Sequence, residues 1–340
     1  MQQRRPPEPK PFFWIPLRGT PERKQPVFHE RFSGWTGWLT LDIEVFSDYL
    51  YVGSGQIDLV RINGREQARY TFTRRDGQLV IPATSIKGAV RSVFEAITNS
   101  CVRIVAKATR SRGKIIKPDE RPWFQKGGQY ESWAACSSTS NLCPACRVFG
   151  TTEYRGRVYF TDAEPVEAIR TATIKISDLW PPRRTQGRKF YETKKFQSQD
   201  LTPRRNTRFI EVVPKGSLFR TRLRFENMSE SELGALLRAM GIIPKENDPD
   251  SVVLGFPVKL GGAKPRCLGS VYFRPRAVRI VTSPQQSWLE GLIQPEEEGE
   301  WRDHLSAWLQ DTSLLDLEAW KTFREAAQPK TDRTCPREVY

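Results

Sequence analysis

Residues 80–91 read V-I-P-A-T-S-I-K-G-A-V-R, and within this stretch a short apolar strand turns sharply into a helix. Pro82 ends the strand, and Thr84 or Ser85 is expected to cap the helix, because either hydroxyl can accept a hydrogen bond from a backbone N–H. Apolar residues then recur at helical spacing: Ile86, Val90, Val93, Phe94 and Ile97. This spacing predicts an amphipathic helix with one buried face.

The first turns of this helix carry cations where acidic residues are normally favoured. Lys87 and Arg91 are four residues apart, and Gly88 follows Lys87. Two cations at this spacing repel each other unless an anion lies between them, and a glycine lets an anion approach the backbone closely. The pattern therefore indicates an anion-binding helix terminus. The alternative is that Arg91 pairs with Glu95 and that Lys87 is merely solvated.

The chain is strongly basic, and its charge is unevenly distributed. Its 340 residues include 54 Lys and Arg against 39 Asp and Glu, which gives a formal net charge of +15. The part from residue 283 onward contains 12 acids and 6 bases, so the first 282 residues carry +21. A basic body with an acidic tail indicates a polyanionic partner for the body.

Several classes of protein are disfavoured by what the sequence lacks. No apolar run approaches the length of a membrane span, and residues 1–11 lack the apolar core of a signal peptide, so we expect a cytoplasmic protein that does not contact a membrane. Histidine is limited to His29 and His304, which argues against a two-histidine ribonuclease, a histidine-rich metal site or a Ser-His-Asp triad. The chain has no Walker A motif.

Four cysteines have the spacing of a metal site. Cys143 and Cys146 form a Cys-x-x-Cys knuckle, with Cys136 upstream and Cys101 near the end of the main helix. Four thiolates would fill the tetrahedral coordination of a structural Zn²⁺ and leave no position open for catalysis. Zinc would also help to fold residues 101–150, an insertion with little apolar periodicity. The alternative for Cys101 is a small buried residue outside the site. Cys267 and Cys335 are expected to be structural or free.

The order of predicted elements is strand–helix–strand followed by strand–helix–strand. This order predicts an α+β fold with a ferredoxin-like or RRM-type core. We divide the chain into an N-terminal arm (1–36), which docks through the aromatic island at residues 12–17, the core (37–282) and an acidic helical C-terminal extension (283–340). The extension is interpreted as an appendage or a partner-binding surface. Residues 56–78 are expected to form a loop and a weak strand.

A second insertion, residues 171–208, is too polar for core and too long for an ordinary loop. Phosphates attract cations and splayed bases stack on flat side chains, so its composition suits single-stranded nucleic acid. The alternative is a disordered basic loop. Its candidate RNA contacts are Arg183, Arg184, Lys194, Lys195, Phe196, Arg204, Arg205 and Arg208.

Residues 81–91, I-P-A-T-S-I-K-G-A-V-R, resemble the Ile-Pro-Gly-Ser-Ser-Leu-Lys-Gly-x-x-Arg motif of the RAMP superfamily. These are the RRM-like subunits that form the backbone of type III CRISPR effector complexes. Residues 146–150, 158–164 and 211–219 and the late glycine-rich loop 261–271 also resemble the family, in the family's order. Cys267 departs from the pattern, because it replaces a glycine.

The resemblance implies a subunit that holds guide RNA (crRNA) together with other type III CRISPR subunits, while base pairing reads the target RNA. Residues 171–208 would be the thumb that kinks the guide–target duplex, and the cysteine group would correspond to the family's zinc-binding insertion. The guide backbone would be held by the main helix and the late loop, through Ser85, Lys87, Gly88, Arg91, Gly261, Gly262, Lys264 and Arg266.

The resemblance leaves open whether the chain is an endoribonuclease. Active members place one Asp in the loop before the Ile-Pro strand, where it acts with a divalent metal such as Mg²⁺ on target RNA. Asp58 has the local sequence context of that residue, whereas Glu66 lies nearer the family's spacing. The alternative outside CRISPR is a stand-alone zinc-knuckle protein that binds single-stranded RNA.

Overall fold

The structure of the protein is a computed structural model that describes residues 10–102, 109–111, 114–116, 131–136, 139–179, 187–281, 283 and 301–336. Its first elements are β1 (Phe12–Ile15), β2 (Trp35–Val45), β3 (Tyr49–Leu50), β4 (Gly53–Ile62), β5 (Arg65–Phe72), β6 (Arg74–Arg75), β7 (Gln78–Leu79), α1 (Ala83–Ile97), β8 (Thr109–Ser111), β9 (Lys114–Ile116), α2 (Pro144–Phe149), β10 (Val158–Phe160) and β11 (Glu164–Pro165).

The second part of the chain continues with strands, one central helix and two C-terminal helices. These elements are β12 (Ala172–Ser177), β13 (Arg188–Tyr191), β14 (Lys194–Lys195), β15 (Thr207–Pro214), β16 (Leu218–Met228), α3 (Glu230–Ala239), β17 (Ile242–Lys245), β18 (Asp248–Leu254), β19 (Val258–Lys259), β20 (Ser270–Ile280), α4 (Trp301–Gln310), α5 (Leu317–Ala326) and β21 (Lys330–Thr334). No described helix has the length and apolar character needed to cross a bilayer.

The central sheet has the strand order β10–β16–β2–β20–β19, with β11 also paired to β16, and each neighbouring pair is antiparallel. Alternate side chains of β16 are buried, such as Leu223, as expected when one face of a sheet is covered, and Leu41 of β2 is buried on the same side. These residues share one hydrophobic core with Val90 of α1 and Leu236 of α3. The α+β class predicted from the sequence is therefore observed.

Helix α1 begins at Ala83 without a side-chain cap of its own, so the predicted caps Thr84 and Ser85 are wrong. The carboxylate of Asp162 takes this role, since its Oδ1 accepts a hydrogen bond from the backbone N–H of Ala83 at 2.8 Å. A bridge between Ile81 and Ala163 brings the two segments together. Asp162 therefore supplies the negative charge that the first turn of α1 lacks.

Strands β4 and β5 form a long antiparallel hairpin where the sequence predicted a loop and a weak strand. They belong to a second sheet of order β12–β15–β5–β4, in which β3 also pairs with β15. Much of the hairpin is exposed, so it lacks the clear alternation of a half-buried strand. Its turn, Asn63-Gly64, has positive φ at both residues, which is the geometry that favours Asn-Gly in two-residue hairpins.

The N-terminal island packs against residues from distant parts of the chain. Strand β1 pairs with β13, and the ring of Phe13 lies 5.7 Å from Phe190 and 5.8 Å from Phe323. Phe190 comes from the basic insertion, so the interpretation of that insertion as too polar for core is wrong.

The C-terminal helices are part of the main core rather than an appendage. Leu305 and Trp308 of α4 and Phe323 of α5 are buried in the same hydrophobic cluster as the central sheet. Strand β21 pairs with β14, and a disulfide joins Cys335 to Cys267 in the late loop. The chain itself therefore covers these apolar residues, which corrects the interpretation of the extension as an appendage, while its interpretation as a partner-binding surface stays a prediction.

A buried carboxylate, Glu211 of β15, links the second sheet to Arg74 at the start of β6. It accepts hydrogen bonds from the Arg74 guanidinium at 2.6 and 2.7 Å, from the backbone N–H of Phe72 at 3.0 Å and from the Thr171 hydroxyl at 2.9 Å. The hydrogen bonds from Arg74 are the largest cause that lowers the pKa of Glu211, to about 2. The ionised form is thus strongly preferred in the folded state.

We predict that Glu211→Gln lowers the free energy of unfolding by about 3 kcal/mol at pH 7, because a pKa lowered from 4.5 to about 2 stabilises the ionised folded state by roughly this amount. This contribution is fully present above about pH 4.5 and is lost as the pH falls toward 2. Urea denaturation of both proteins should therefore show a difference that shrinks with acidification. Exposed Glu246→Gln is the control, and an equal loss in both variants would contradict the assignment.

Candidate metal centre and nucleic-acid interface

The four cysteines predicted as metal ligands lie together. The Sγ atoms of Cys101, Cys136, Cys143 and Cys146 are all within 4.8 Å of one another, and all four residues are buried. Cys101 Sγ lies 3.6 Å from Cys146 Sγ and 3.5 Å from Cys143 Sγ. A tetrahedral site with Zn–S bonds of about 2.3 Å requires sulfur separations of about 3.8 Å. The group therefore fits a metal ion such as Zn²⁺, and Cys101 belongs to it.

The four cysteines come from three parts of the chain, and two of them lie at the start of α2. Cys101 follows α1, Cys143 is the N-cap of α2, and Cys146 lies in the first turn of that helix. The backbone N–H of Cys143 also donates to Cys136 Sγ at 3.4 Å. Hydrogen bonds from Cys101, and then from Cys143 and Cys146, lower the pKa of the Cys136 thiol. Hydrogen bonds from Cys136, and then from Cys143 and Cys146, raise the pKa of the Cys101 thiol, so the four thiols differ in how readily they form the thiolate that binds metals.

Two arginines connect this cysteine group to Glu95 of α1. Arg91 donates from Nη2 to Cys146 Sγ at 3.4 Å, from Nη1 to the Gly150 carbonyl at 2.8 Å and from Nε to Glu95 Oε1 at 2.6 Å. Arg188 lies 3.4 Å from Glu95 Oε2 and donates to the Cys101 carbonyl at 3.3 Å. Outer contacts of this kind orient metal ligands and tune their charge.

The alternative that Arg91 pairs with Glu95 is thereby confirmed. The Arg91 side chain is only 11% exposed, so its guanidinium supports the cysteine group and does not project from the surface. Sequence reasoning considered Glu95 only as an alternative partner of Arg91 and did not connect Arg188 to the cysteine group. No apolar pattern signals the burial of Glu95, because it lies one turn beyond Arg91, on the side of α1 opposite the apolar stripe.

The first turns of α1 combine a partly buried serine and lysine with an exposed glycine. Lys87 donates from Nζ to the Val158 carbonyl at 3.1 Å and lies 5.6 Å from the centre of the Tyr159 ring, while Ser85 is half-buried. Gly88 is exposed, and a Cβ built on it meets no atom within 4 Å. A glycine inside a helix costs about 1 kcal/mol relative to alanine. Packing within the described chain does not account for this glycine.

The late loop differs from its prediction as an open backbone segment with two cations. A Cβ at Gly261, where φ is +76°, would lie 2.2 Å from the Tyr51 carbonyl oxygen, and one at Gly262 would lie 3.0 Å from Tyr51 Cδ1. Arg266 is buried and donates to the Asp178 carbonyl at 3.1 Å. Lys264 is half-buried, and desolvation lowers its pKa. These glycines are explained by close packing on Tyr51.

The predicted thumb residues separate into internal and exposed groups. Lys194 is buried with its Nζ 2.7 Å from Glu192, and Arg208 donates to Asp178 at 2.6 Å. Phe196 is half-buried and packs edge-to-face on Tyr49. The exposed candidates in the described chain are Lys195, Arg204 and Arg205, and Arg204 lies 3.2 Å from Asp200. Arg183 and Arg184 lie outside the described residues.

The two nuclease candidates lie on the β4–β5 hairpin and are not brought together. Asp58 is exposed and lies 3.3 Å from Arg69, its partner across the hairpin, while Glu66 is paired in register with Arg61. Cross-strand partners share a face and residues an odd number apart do not, so Asp58 and Glu66 occupy opposite faces. Neither belongs to the group of potential metal ligands found in the described chain. A Mg²⁺ site here stays a prediction.

Comparison with known proteins identifies the family. The model of the RAMP superfamily matches residues 42–272, which run from β2 to β20 and include α1 and the cysteine group. The chain therefore belongs to the RAMP superfamily. No curated protein matches it.

Among solved structures, the chain is similar to a chain in the cryo-electron microscopy structure of the type III-B Cmr-beta complex bound to cognate target RNA. The two are 16% identical, with a TM-score of 0.37, and the similarity covers 73% of this chain. It spans 61% of the length of that chain, which is less than two thirds.

We predict that the purified protein contains about one zinc ion per chain and that Cys143→Ser abolishes this content, because a four-thiolate site holds zinc tightly only when it is complete. A strong chelator should lower the unfolding temperature of the unaltered protein but not that of the variant. Elemental analysis and thermal denaturation check both results. Cys335→Ser, outside the group, is the matched control and should retain its zinc; an unaltered protein without metal, insensitive to chelator, would contradict the assignment.

Proposed function

We propose that this RAMP-superfamily protein is a guide-RNA-binding subunit of a type III CRISPR ribonucleoprotein. The observation that carries the proposal is the exposed start of α1, where Lys87 and the open Gly88 lie within the motif that resembles the family's Lys-Gly signature. The net charge of +15 supports a polyanionic partner. The cysteine group, with Zn²⁺ bound, would have a structural role.

We further infer that the core is ferredoxin-like. Strand β2 is followed by α1 and β10, and β16 is followed by α3 and β20, with the hairpin β4–β5 and the basic insertion added between elements. The neighbour order β10–β16–β2–β20 with antiparallel pairs is the arrangement that two interlocked strand–helix–strand units produce. This inference supports the RRM-type interpretation of the sequence.

In the proposed mechanism, the chain holds the guide and leaves sequence reading to base pairing. A phosphate would approach the backbone at Gly88, where the absent side chain leaves space and the neighbouring Lys87 supplies positive charge. Lys195, Arg204 and Arg205 would contact the guide–target duplex from the thumb. Arg91 contributes indirectly, since it fixes α1 to the cysteine group.

The proposal is tested by purifying a tagged chain expressed together with its neighbouring genes, followed by RNA sequencing and protein identification. We expect short RNAs that share a repeat-derived end, together with other type III subunits. Random RNA fragments without partner subunits would instead support a stand-alone RNA-binding protein and would contradict the proposal.

We predict that Gly88→Ala raises the free energy of unfolding by about 1 kcal/mol, because alanine favours the helix and the added Cβ meets no atom of the chain. The same change should weaken guide-RNA binding by about tenfold, since the methyl group occupies the place of the phosphate. Denaturation and fluorescence anisotropy measure the two effects.

The matched control for this prediction is Ser92→Ala, one turn further along α1. It improves helix propensity and removes the hydroxyl that donates to the Gly88 carbonyl at 2.8 Å, but it adds no atom where the phosphate would lie. It should stabilise the chain and leave RNA affinity unchanged. If Gly88→Ala also leaves the affinity unchanged, α1 does not hold the guide through this glycine.

A further inference from the structure

The end of the described chain is joined to the late loop by a covalent bond. Cys335, which directly follows β21, forms a disulfide with Cys267, 68 residues earlier in the sequence. Both cysteines are buried, and neither belongs to the four-cysteine group. We call residues 330–336 the C-terminal strap. It runs from β14 of the basic insertion to the late loop, so it connects two elements that are distant in the sequence.

The strap pairs with β14 as a short and mostly exposed strand. β21 and β14 form a two-stranded sheet, and their register is irregular between its two pairs. The backbone N–H of Lys330 donates to the Thr193 carbonyl at 2.8 Å. That of Cys335 donates to the Lys195 carbonyl, also at 2.8 Å, while residues 331–334 are exposed. A small sheet of this kind near a chain end opens more readily than the core strands do.

Side chains contribute contacts at the two ends of the strap. Lys330 forms an ion pair with Glu192, but its side chain is 31% exposed, and solvent weakens such pairs. At the other end Pro336 is buried, and its carbonyl lies 3.5 Å from Nη1 of Arg266. As long as the disulfide of Cys335 is intact, this buried end cannot leave the late loop.

The late loop holds Cys267 in a backbone conformation that glycine adopts more readily. Its φ is +62°, in the left-handed region, where a Cβ crowds the following carbonyl. The Cys267 N–H donates to the Lys264 carbonyl at 2.9 Å, and its own carbonyl accepts from Lys259 Nζ at 3.2 Å. The strain of this conformation persists only where the surroundings offset it. Because glycine has no sulfur, the bond to Cys335 is what this strained cysteine adds to the loop.

We propose that the Cys267–Cys335 disulfide is a redox-controlled clasp for the C-terminal strap. With the bond formed, the strap lies on the late loop and beside β14; when a dithiol reduces the bond, the strap detaches. One thiolate of the dithiol attacks a sulfur of the disulfide and displaces the other sulfur, which takes up a proton. The second thiol of the reductant then completes the exchange. Two electrons pass to the chain, both cysteines become thiols, and the reductant leaves as a disulfide.

Release of the strap would also affect RNA binding, and this part of the inference rests on the proposed function. Lys195 is exposed on β14 and is one of the proposed contacts to the guide–target duplex. Its carbonyl accepts the hydrogen bond from Cys335, so detachment of the strap removes a restraint on its backbone. We expect the reduced chain to bind guide RNA about fivefold more weakly, since binding must order this residue again.

The test measures how fast trypsin cuts the strap of the full chain, because proteolysis reports how often a segment opens. The cut after Arg333 is followed, since this side chain is 65% exposed. The chain purified in air is compared with the chain treated with dithiothreitol. Each digest is denatured and reduced before mass spectrometry, so that the disulfide does not retain the cut fragment. We expect this cut to be about tenfold faster, or more, after reduction.

The redox state is checked by alkylation in denaturant with a chelator, without further reductant. It should modify four thiols in the oxidised chain and six in the reduced chain. Six modified thiols in the chain purified in air would overturn the proposal, because the bond would then not form.

Two variants separate the loss of the bond from other effects of the reductant. Cys335→Ser and Cys267→Gly each remove the disulfide, and glycine suits the left-handed conformation of the late loop. Both should be cut as fast as the reduced chain, and dithiothreitol should not change their rates. Both retain the four-cysteine group. A rate that rises with dithiothreitol in both variants would therefore assign the effect to that group and overturn the clasp.

The remaining outcomes separate the clasp from the proposed function. Equal cutting of the oxidised and reduced chains would mean that other contacts hold the strap, and it would overturn the clasp. The affinity for the copurified guide RNA, measured by fluorescence anisotropy, tests the link to Lys195 separately: a released strap with unchanged affinity overturns that link alone. If the chain binds no guide RNA, the proposed function fails, whereas the trypsin result still decides the clasp.

Discussion

The ion pairs of Glu95 are the constraint on which the organisation of this protein depends. This nearly buried carboxylate of α1 holds Arg91, which reaches Cys146, and Arg188, which reaches the backbone of Cys101. Removing this carboxylate would leave the guanidinium groups of Arg91 and Arg188 buried without their ion-pair partner. Breaking a buried ion pair in this way typically lowers the free energy of unfolding by about 3–5 kcal/mol. The helix, the cysteine group and strand β13 of the basic insertion are therefore joined as one unit, although they are far apart in the sequence.

This arrangement divides α1 between two tasks. Gly88, Arg91 and Glu95 lie along the same side of α1, but the later part, with Arg91 and Glu95, is covered and supports the candidate metal centre, whereas a Cβ built on Gly88 nearer the start meets no atom of the described chain. The two cations that the sequence pairs as one anion site, Lys87 and Arg91, thus have different surroundings. Under the proposed function only the exposed start of this helix would contact RNA, and the attachment of α1 to the cysteine group through Arg91 would hold that start in a fixed position.

The parts of the fold that follow a periodic pattern could be predicted from the sequence, and those that depend on distant partners could not. The buried face of α1, strands β2, β16 and β20 and the four cysteines all follow from spacing. The cap from Asp162, the burial of Arg266 and the packing of Phe190 and Phe323 depend on contacts between distant segments.

Hydrogen–deuterium exchange of the chain with and without its copurified guide RNA tests the central claim most directly, because it reports on the backbone where the RNA would bind. The account predicts slower exchange on RNA binding in peptides from the start of α1, around Gly88, while peptides containing Cys143 and Cys146 remain equally protected in both states. Unchanged exchange around Gly88, with protection confined to other surfaces, would contradict the assignment of α1 as the guide-binding element.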